Sequence, residues 1–493
     1  MSYARIDLRE IKDKIRISNG EHIRMALAKW ALSLFITLYG VLHFITYFYN
    51  PAFLLVLLSI CGLGIFVFSS IVLSVKKLKI PLGLLVVGVI VLWFSGTSLV
   101  EGFHFGLLQM RNMVGLLIVV PLISWVLREE PYMEAIIGLG NRIMNTSRKF
   151  YFGMISFTQI IAYFLLFGSI QMVYHFVNEI LQDKQGEEWE NFKGTALLRG
   201  FALSTLWVVS IPSFVFVVEV MEASLFLSIL QGFVMSLIGI VIALVFSHFE
   251  EKRYGVNLTS GLNSEFAEVL QANKHNHKRM KRDFNEFSIL FVTLFGSIFI
   301  LQAFLPVEIL VLIPLVVLVW IGIYYLYKNR PIKLFHHAKT HIMEDINHGS
   351  YQLCTMLGAG IMIYALNQTN FATVVVDGIY GLQAIFPFLN ILYLLPFIVI
   401  ILGFVGLGPL TVMVLVGGIL GSLHLPYPPE IIVLTVTSGS AISILLSPLI
   451  MPVISLSGAN GLSGFKNGIR FNWKYALVLY AVVQVYVQLV VVM

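Results

Sequence analysis

Charge is what this chain has least of. Asp, Glu, Lys and Arg make up 12% of its 493 residues, where a soluble globular chain carries roughly a quarter. That deficit, with 58% hydrophobic residues and a mean hydropathy of +0.88, excludes an ordinary soluble domain. Cysteine is nearly missing too. Cys61 and Cys354 both lie inside apolar segments, which excludes a disulfide framework and a cysteine metal site. No Walker motif, no G-x-S-x-G and no H-E-x-x-H occurs, so nothing supports ATP-driven transport or a familiar hydrolase. The opening stretch, MSYARIDLREIKDKIRISNGEHIR, mixes acids and bases throughout and has no apolar signal-peptide centre. Residues 1–27 therefore read as a cytoplasmic leader.

What is abundant is long apolar sequence. Strongly apolar stretches fall near 28–48, 52–75, 80–98, 103–127, 150–181, 196–218, 223–248, 286–304, 306–327, 350–368, 385–423, 430–453 and 472–491. Such runs mark a polytopic, all-α membrane protein. The net charge of +6 then speaks of loop orientation, not of nucleic acid, because basic residues gather in cytoplasmic loops. If every stretch crossed once, the loop 250–283, with its seven Lys and Arg, would face outward. Stretches 150–181 and 385–423 resolve the conflict. Each is long and glycine-interrupted, at Gly168 and at GFVGLGPLT (403–411), and each suits a re-entrant hairpin. About 11 crossings remain, with the N-terminus cytoplasmic and the C-terminus outside the cell membrane. Every Lys and Arg except Arg111 then falls on or near the inner side. Glu101, Glu219, Glu222, Glu308, Asp377 and Glu430 fall outside.

The two halves echo one another. Met113, Gly115, Glu134, Ile136, Gly138 and Leu139 match Met356, Gly358, Asp377, Ile379, Gly381 and Leu382 at a constant spacing of 243. RGFALSTL (199–206) echoes SGSAISIL (438–445). The expected organisation is an extra crossing (28–48), a first repeat (51–248), a basic linker (249–285) and a second repeat (286–491). An odd number of crossings per half inverts the second repeat, an arrangement whose binding site lies between the repeats.

Hydroxyls cluster where the lipid gives them no reward. TVTSGSAISILLSP holds Thr435, Thr437, Ser438, Ser440, Ser443 and Ser447 around Gly439 and before Pro448, and its counterpart holds Ser204, Thr205, Ser210, Pro212 and Ser213. Glycine and proline weaken a helix, so each segment is expected to be discontinuous. Freed carbonyls hold cations, and freed amides and hydroxyls hold anions. Taken singly, each Ser or Thr is explained by bonding its own backbone. The candidate site therefore comprises Gly168, Ser169, Gln171, Ser204, Thr205, Gly406, Gly408, Pro409, Thr411, Thr437, Ser438, Ser440 and Ser443. Arg111, the base at membrane depth, is a candidate for attracting an anion; snorkelling or pairing with Glu101 are the other readings. Glu134 and Asp377 read as surface groups. His337, His341, Glu344 and His348 have near-helical spacing, which an amphipathic surface helix explains without a metal. The Asn257–Thr259 glycosylation pattern falls on the cytoplasmic side, and KHNHKRMKR (274–282) reads as an orientation signal.

In this layout the chain resembles the ion transporter superfamily, which includes divalent-anion:sodium symporters, arsenical pump permeases and the membrane subunits of dicarboxylate TRAP carriers. The resemblance spans about residues 50–491. It implies two inverted repeats, each with a re-entrant hairpin and a broken helix, ligands at the tips and breaks, and a homodimer working as an elevator. By position the tips map to Gly168, Ser169, Gln171 and to Gly406, Gly408, Pro409, Thr411, and the breaks to Ser204, Thr205 and Thr437–Ser443. The Ser-Asn-Thr motifs of the sodium/dicarboxylate branch are missing from both tips, so neither sodium nor a dicarboxylate is carried over. The expectation is an ion-driven permease for a small organic anion, not an enzyme. Na+ or H+ would be the coupling ion, no cofactor is expected, and its partners would be lipid, the solute and a second copy. A non-transporting protein of envelope or spore assembly is the alternative. An enzyme acting on a lipid-linked substrate would need His104, His175 or Glu219 at catalytic depth.

Overall fold

The computed structural model describes residues 8–132, 135–136, 146–181, 186–254, 277–343, 345–386, 390–423 and 425–492. Glu134, Gly138, Leu139, Asn257–Thr259, residues 274–276 and Glu344 lie outside the described residues, as do the side chains of His348, Ile379 and Leu382. No strand occurs among the described residues, and nine helical spans there are long and apolar enough to cross a membrane. The protein is an all-α, membrane-embedded chain.

In chain order the helices are α1 (Leu8–Phe48), α2 (Ala52–Val72), α3 (Val75–Ser95), α4 (Leu99–Gln109), α5 (Arg111–Val119), α6 (Ile123–Arg128) and α7 (Ser147–Leu165). Next come α8 (Gly168–Ile180), α9 (Glu187–Ser204), α10 (Pro212–Val220), α11 (Leu225–Tyr254), α12 (His277–Phe304), α13 (Ile309–Tyr327) and α14 (Pro331–Met343). The last are α15 (Ser350–Asn367), α16 (Phe371–Ile385), α17 (Ile391–Phe404), α18 (Pro409–Leu420), α19 (Pro429–Leu446), α20 (Met451–Asn460) and α21 (Phe471–Val492). The stretch expected as one crossing at 103–127 is divided at Met110, and the 350–368 stretch forms α15, which ends at Asn367.

The chain forms two compact units, each drawing on both halves of the sequence: residues 1–118 with 325–369, and residues 119–324 with 370–493. In the first unit α15 is buried almost all round and packs on α2, α3 and α4. Arg111 belongs to this unit, where it opens α5 half-buried.

The second unit holds the broken helices, and the breaks have local causes. After α9 the chain turns through Thr205–Ser210, Ile211 is extended, and Pro212 opens α10. After α19, Ser447 is extended before Pro448, and Ile450 is extended before the Met451-Pro452 start of α20. Proline biases the preceding residue out of the helical region and suits the first turn of the next helix. Between α7 and α8 the turn lies at Leu166, whose φ of +47° is rare for a non-glycine residue. Between α17 and α18 it uses Gly406 at φ +96°, then Gly408 extended, then Pro409.

Candidate functional site at four helix ends

Cross-contacts fix the relative directions of α7 to α10 and α17 to α20 in the second unit. Moving up α9, Thr195 meets Tyr151 at 2.9 Å, Trp207 Nε1 donates to Gln159 at 2.9 Å, and Ser210 donates to the Tyr163 carbonyl at 2.5 Å. The numbers rise together, so α7 and α9 are parallel. Against α8 they run oppositely: the Phe201 ring lies tilted against Phe167, with ring centres 5.5 Å apart, whereas Glu190 accepts from Tyr174 at 2.8 Å. Hence α7 and α8 are antiparallel arms. The same holds in the other half. A Cβ on Gly439 would meet the Pro396 backbone, and Ser447 donates to the Gly403 carbonyl at 2.8 Å, so α17 and α19 are parallel. The end of α18 returns to the start of α19: Gly421 adjoins Val220, and Glu430 accepts the Ser224 amide at 3.0 Å.

These relations bring four helix beginnings together. Ser210 ties the start of α10 to the turn that opens α8, and Ser447 ties the start of α20 to the turn that opens α18. Gly417 faces Val217 and Phe216 while Gly421 faces Val220, so α10 and α18 run side by side in one direction. The far ends of α8 and α20 share a cleft lined by Tyr174, Asn178 and Asn460, so these two also run together. The amino-terminal ends of α8, α10, α18 and α20 therefore meet at one level, where α7, α9, α17 and α19 present their carboxyl-terminal ends. Unpaired N–H groups make a helix start partly positive, and unpaired carbonyls make its finish partly negative.

The hydroxyls at this junction mostly serve their own helices. Ser169 donates to Leu166 at 2.7 Å, Ser204 to Phe201 at 2.6 Å, Thr205 to Ala202 at 2.7 Å, Thr437 to Val433 at 2.8 Å and Ser438 to Thr435 at 2.7 Å, all to carbonyls within one turn. Ser443 packs on Gly403, and the buried Ser440 hydroxyl has no hydrogen-bond partner among the described residues. Thr411 and Pro409 are buried in the first turn of α18, and Gly408 caps it. Gly406 lies in the turn before. Gly168 begins α8, so the tip comes just before it, at Leu166 and Phe167, and Gln171 is exposed. Asp377 is exposed on α16. Among the described residues, no three His, Cys, Asp or Glu side chains group as metal ligands.

The strongest polar features lie off the hydroxyl clusters. At the far ends of α8 and α20 the cleft has a volume of about 420 Å³. Lys193, buried on α9, pairs with Glu190 at 2.5 Å and donates to Asn178 at 2.6 Å. Glu187, in the first turn of α9, pairs with Lys466 at 2.7 Å and Arg470 at 3.1 Å. The hydrogen-bonded Lys466 ammonium, with Arg470 adding its charge, holds the Glu187 carboxyl below the usual carboxylate range. From Asn460 an amide chain runs on: Asn460 donates to Asn467 at 2.9 Å, Asn472 to the Asn467 carbonyl at 2.9 Å, and Arg199 to Asn472 at 3.0 Å. Arg199, fully buried, also donates to Tyr151 at 2.9 Å and Glu250 at 3.1 Å and lies over the Tyr475 ring. It bolts α7, α9, α11 and α21 together.

In the sequence alone these bases read as orientation signals. A signal was available in EEWENFKGTALLR (187–199), where Glu187, Glu190 and Lys193 recur at one-turn spacing. No family model matches the chain, and no curated protein matches it in sequence.

Proposed function

We propose that the chain is a secondary transporter for a small organic anion, built on two inverted repeats whose hairpins, α7–α8 and α17–α18, dip into the membrane without crossing it. In this reading 51–248 and 286–491 are the repeats, 28–48 is an added crossing and 249–285 is a cytoplasmic linker. The N-terminus is cytoplasmic and the C-terminus outside. The observation that carries it is the pair of equivalent ties, Ser210 to Tyr163 and Ser447 to Gly403. Each fixes a helix break to a hairpin tip, so four helix starts meet in one interior place.

Four partly positive helix starts favour an anion held by backbone amides, with Ser440 and Thr411 as nearby hydroxyls. The four opposed helix finishes offer carbonyls to a coupling cation, Na+ or H+. A homodimer moving as an elevator comes from the superfamily resemblance, and Arg111 as an anion attractor from its place as the base at membrane depth in the sequence. The test is reconstitution in liposomes with a panel of labelled organic anions under imposed Na+ or H+ gradients. Gradient-dependent accumulation of one anion supports the proposal. No flux of any member under either gradient would favour a non-transporting envelope protein.

A further inference from the structure

The cleft at the far ends of α8 and α20 is lined by two acids and two bases, Glu187, Glu190, Lys193 and Lys466, and Arg470 reaches Glu187 from outside that lining. Glu190 and Lys193 neutralise each other. Glu187 has two cationic partners, Lys466 and Arg470, and one would suffice. Of these two partners Lys466 lines the cleft and is 23% exposed, so it can turn to a ligand while Arg470 stays on Glu187. Lys193 takes the Asn178 carbonyl oxygen, which leaves the Asn178 amide nitrogen to donate into the cleft it lines. Lys193 is 1% exposed and Glu190 8%, so the inner wall is built of buried, fixed polar groups. A volume of about 420 Å³ suits a small molecule. From Gly168 at the junction to Asn178 at the cleft is about 15 Å of helix, and α20 runs beside it.

We propose that this cleft binds a small carboxylate monoanion through the Lys466 ammonium and the Asn178 amide nitrogen, while Arg470 keeps Glu187 neutralised once Lys466 turns to the ligand. It is a second stop for the class of solute proposed for the junction, and to that extent rests on the transport reading. Its test reads labelling instead of flux, so each can fail alone.

Cys61 and Cys354 are buried, so a cysteine at Ala459, which lines the cleft, supplies the accessible thiol. In detergent-purified Ala459→Cys protein, a negatively charged thiosulfonate should react faster than its positively charged counterpart by about tenfold, each rate taken relative to a free thiol in solution. Millimolar benzoate should slow the labelling, and benzylamine should not. Lys466→Gln should erase the charge preference and the benzoate protection, and Glu187→Gln should enlarge the preference. Faster labelling by the cationic reagent, absence of benzoate protection, or protection that survives Lys466→Gln overturns the proposal. If Lys466→Gln does not fold, a preference that fails to rise in Glu187→Gln overturns it instead. A protein that labels as described yet moves no anion counts against the transport reading alone.

Discussion

Ser447 donates its hydroxyl to the carbonyl oxygen of Gly403 at 2.8 Å, and so holds the break after α19 against the last turn of α17. Ser210 does the same to Tyr163 in the other half. Removing either hydroxyl takes one hydrogen bond from the carbonyl it engages, although Gly403 keeps one from the Gly406 amide at 3.1 Å. Ser447→Ala and Ser210→Ala should each cost about 1 kcal/mol. Ser438→Ala should cost less, because the Thr435 carbonyl it engages lies in its own helix. Denaturant unfolding in detergent ranks the three, and a Ser438 effect larger than the other two would remove the ties from the account.

Gly200 and Gly439 occupy equivalent contacts. A Cβ on Gly200 would lie 2.8 Å from the Ile155 carbonyl oxygen, and one on Gly439 would lie 2.7 Å from Pro396 Cα. Backbone cannot move aside as a side chain can. Alanine at either position should destabilise by about 1–3 kcal/mol despite its better helix propensity. Gly408, with open space around it, should accept alanine with little loss. Thermal unfolding of the three variants checks the order.

Arg199 has no solvent exposure and bonds Asn472, Tyr151 and Glu250. Arg199→Met takes a partner from the Glu250 carboxylate and from three further polar groups, Asn472, Tyr151 and the Phe471 carbonyl, at a cost of about 3–5 kcal/mol. Arg199→Met with Glu250→Gln should recover part of that loss. A double variant no more stable than the single would show that the charge of Glu250 is not what suffers.

The ion pairs of Glu187 set a pH dependence. Its carboxyl titrates below the ordinary glutamate value because Lys466 bonds the ionised form. The unfolded chain therefore binds this proton more readily than the folded one. The contribution is fully present above the ordinary glutamate pKa, about 4.3, and is lost as pH falls through the lower folded value. Unfolding midpoints measured from neutral to acid should fall less steeply in Glu187→Gln than in the parent protein. An identical slope would contradict the pairing.

The second break is misplaced in the sequence reading, since α19 runs unbroken through Thr437–Ser443, Gly439 included, and breaks only at Ser447. The breaks that do occur have local causes. Pro212, Pro448, Gly406 and Gly408 announce themselves without knowledge of any neighbour. The tip before α8 was legible only to within a turn, since the positive φ falls on Leu166, a residue with no sequence preference for it. The hydroxyl clusters were readable as unusual but not as to their partners. Ser438 and Ser447 look alike in sequence, yet one bonds its own turn and the other reaches a second helix. The charged cleft is hidden in the sequence for the opposite reason. Glu187 and Lys466 stand far apart along the chain, and only folding sets them 2.7 Å apart.

Side-specific labelling at the bases of the two hairpins tests the inverted re-entrant arrangement most directly. Single cysteines at Thr146 and Gly186 flank α7–α8, and at Asn390 and Ser422 flank α17–α18. The first two should react with an impermeant reagent from one face of the membrane and the last two from the other. Either pair splitting across the two faces would make that hairpin an ordinary crossing, and would leave the meeting of four helix starts without a place to occur.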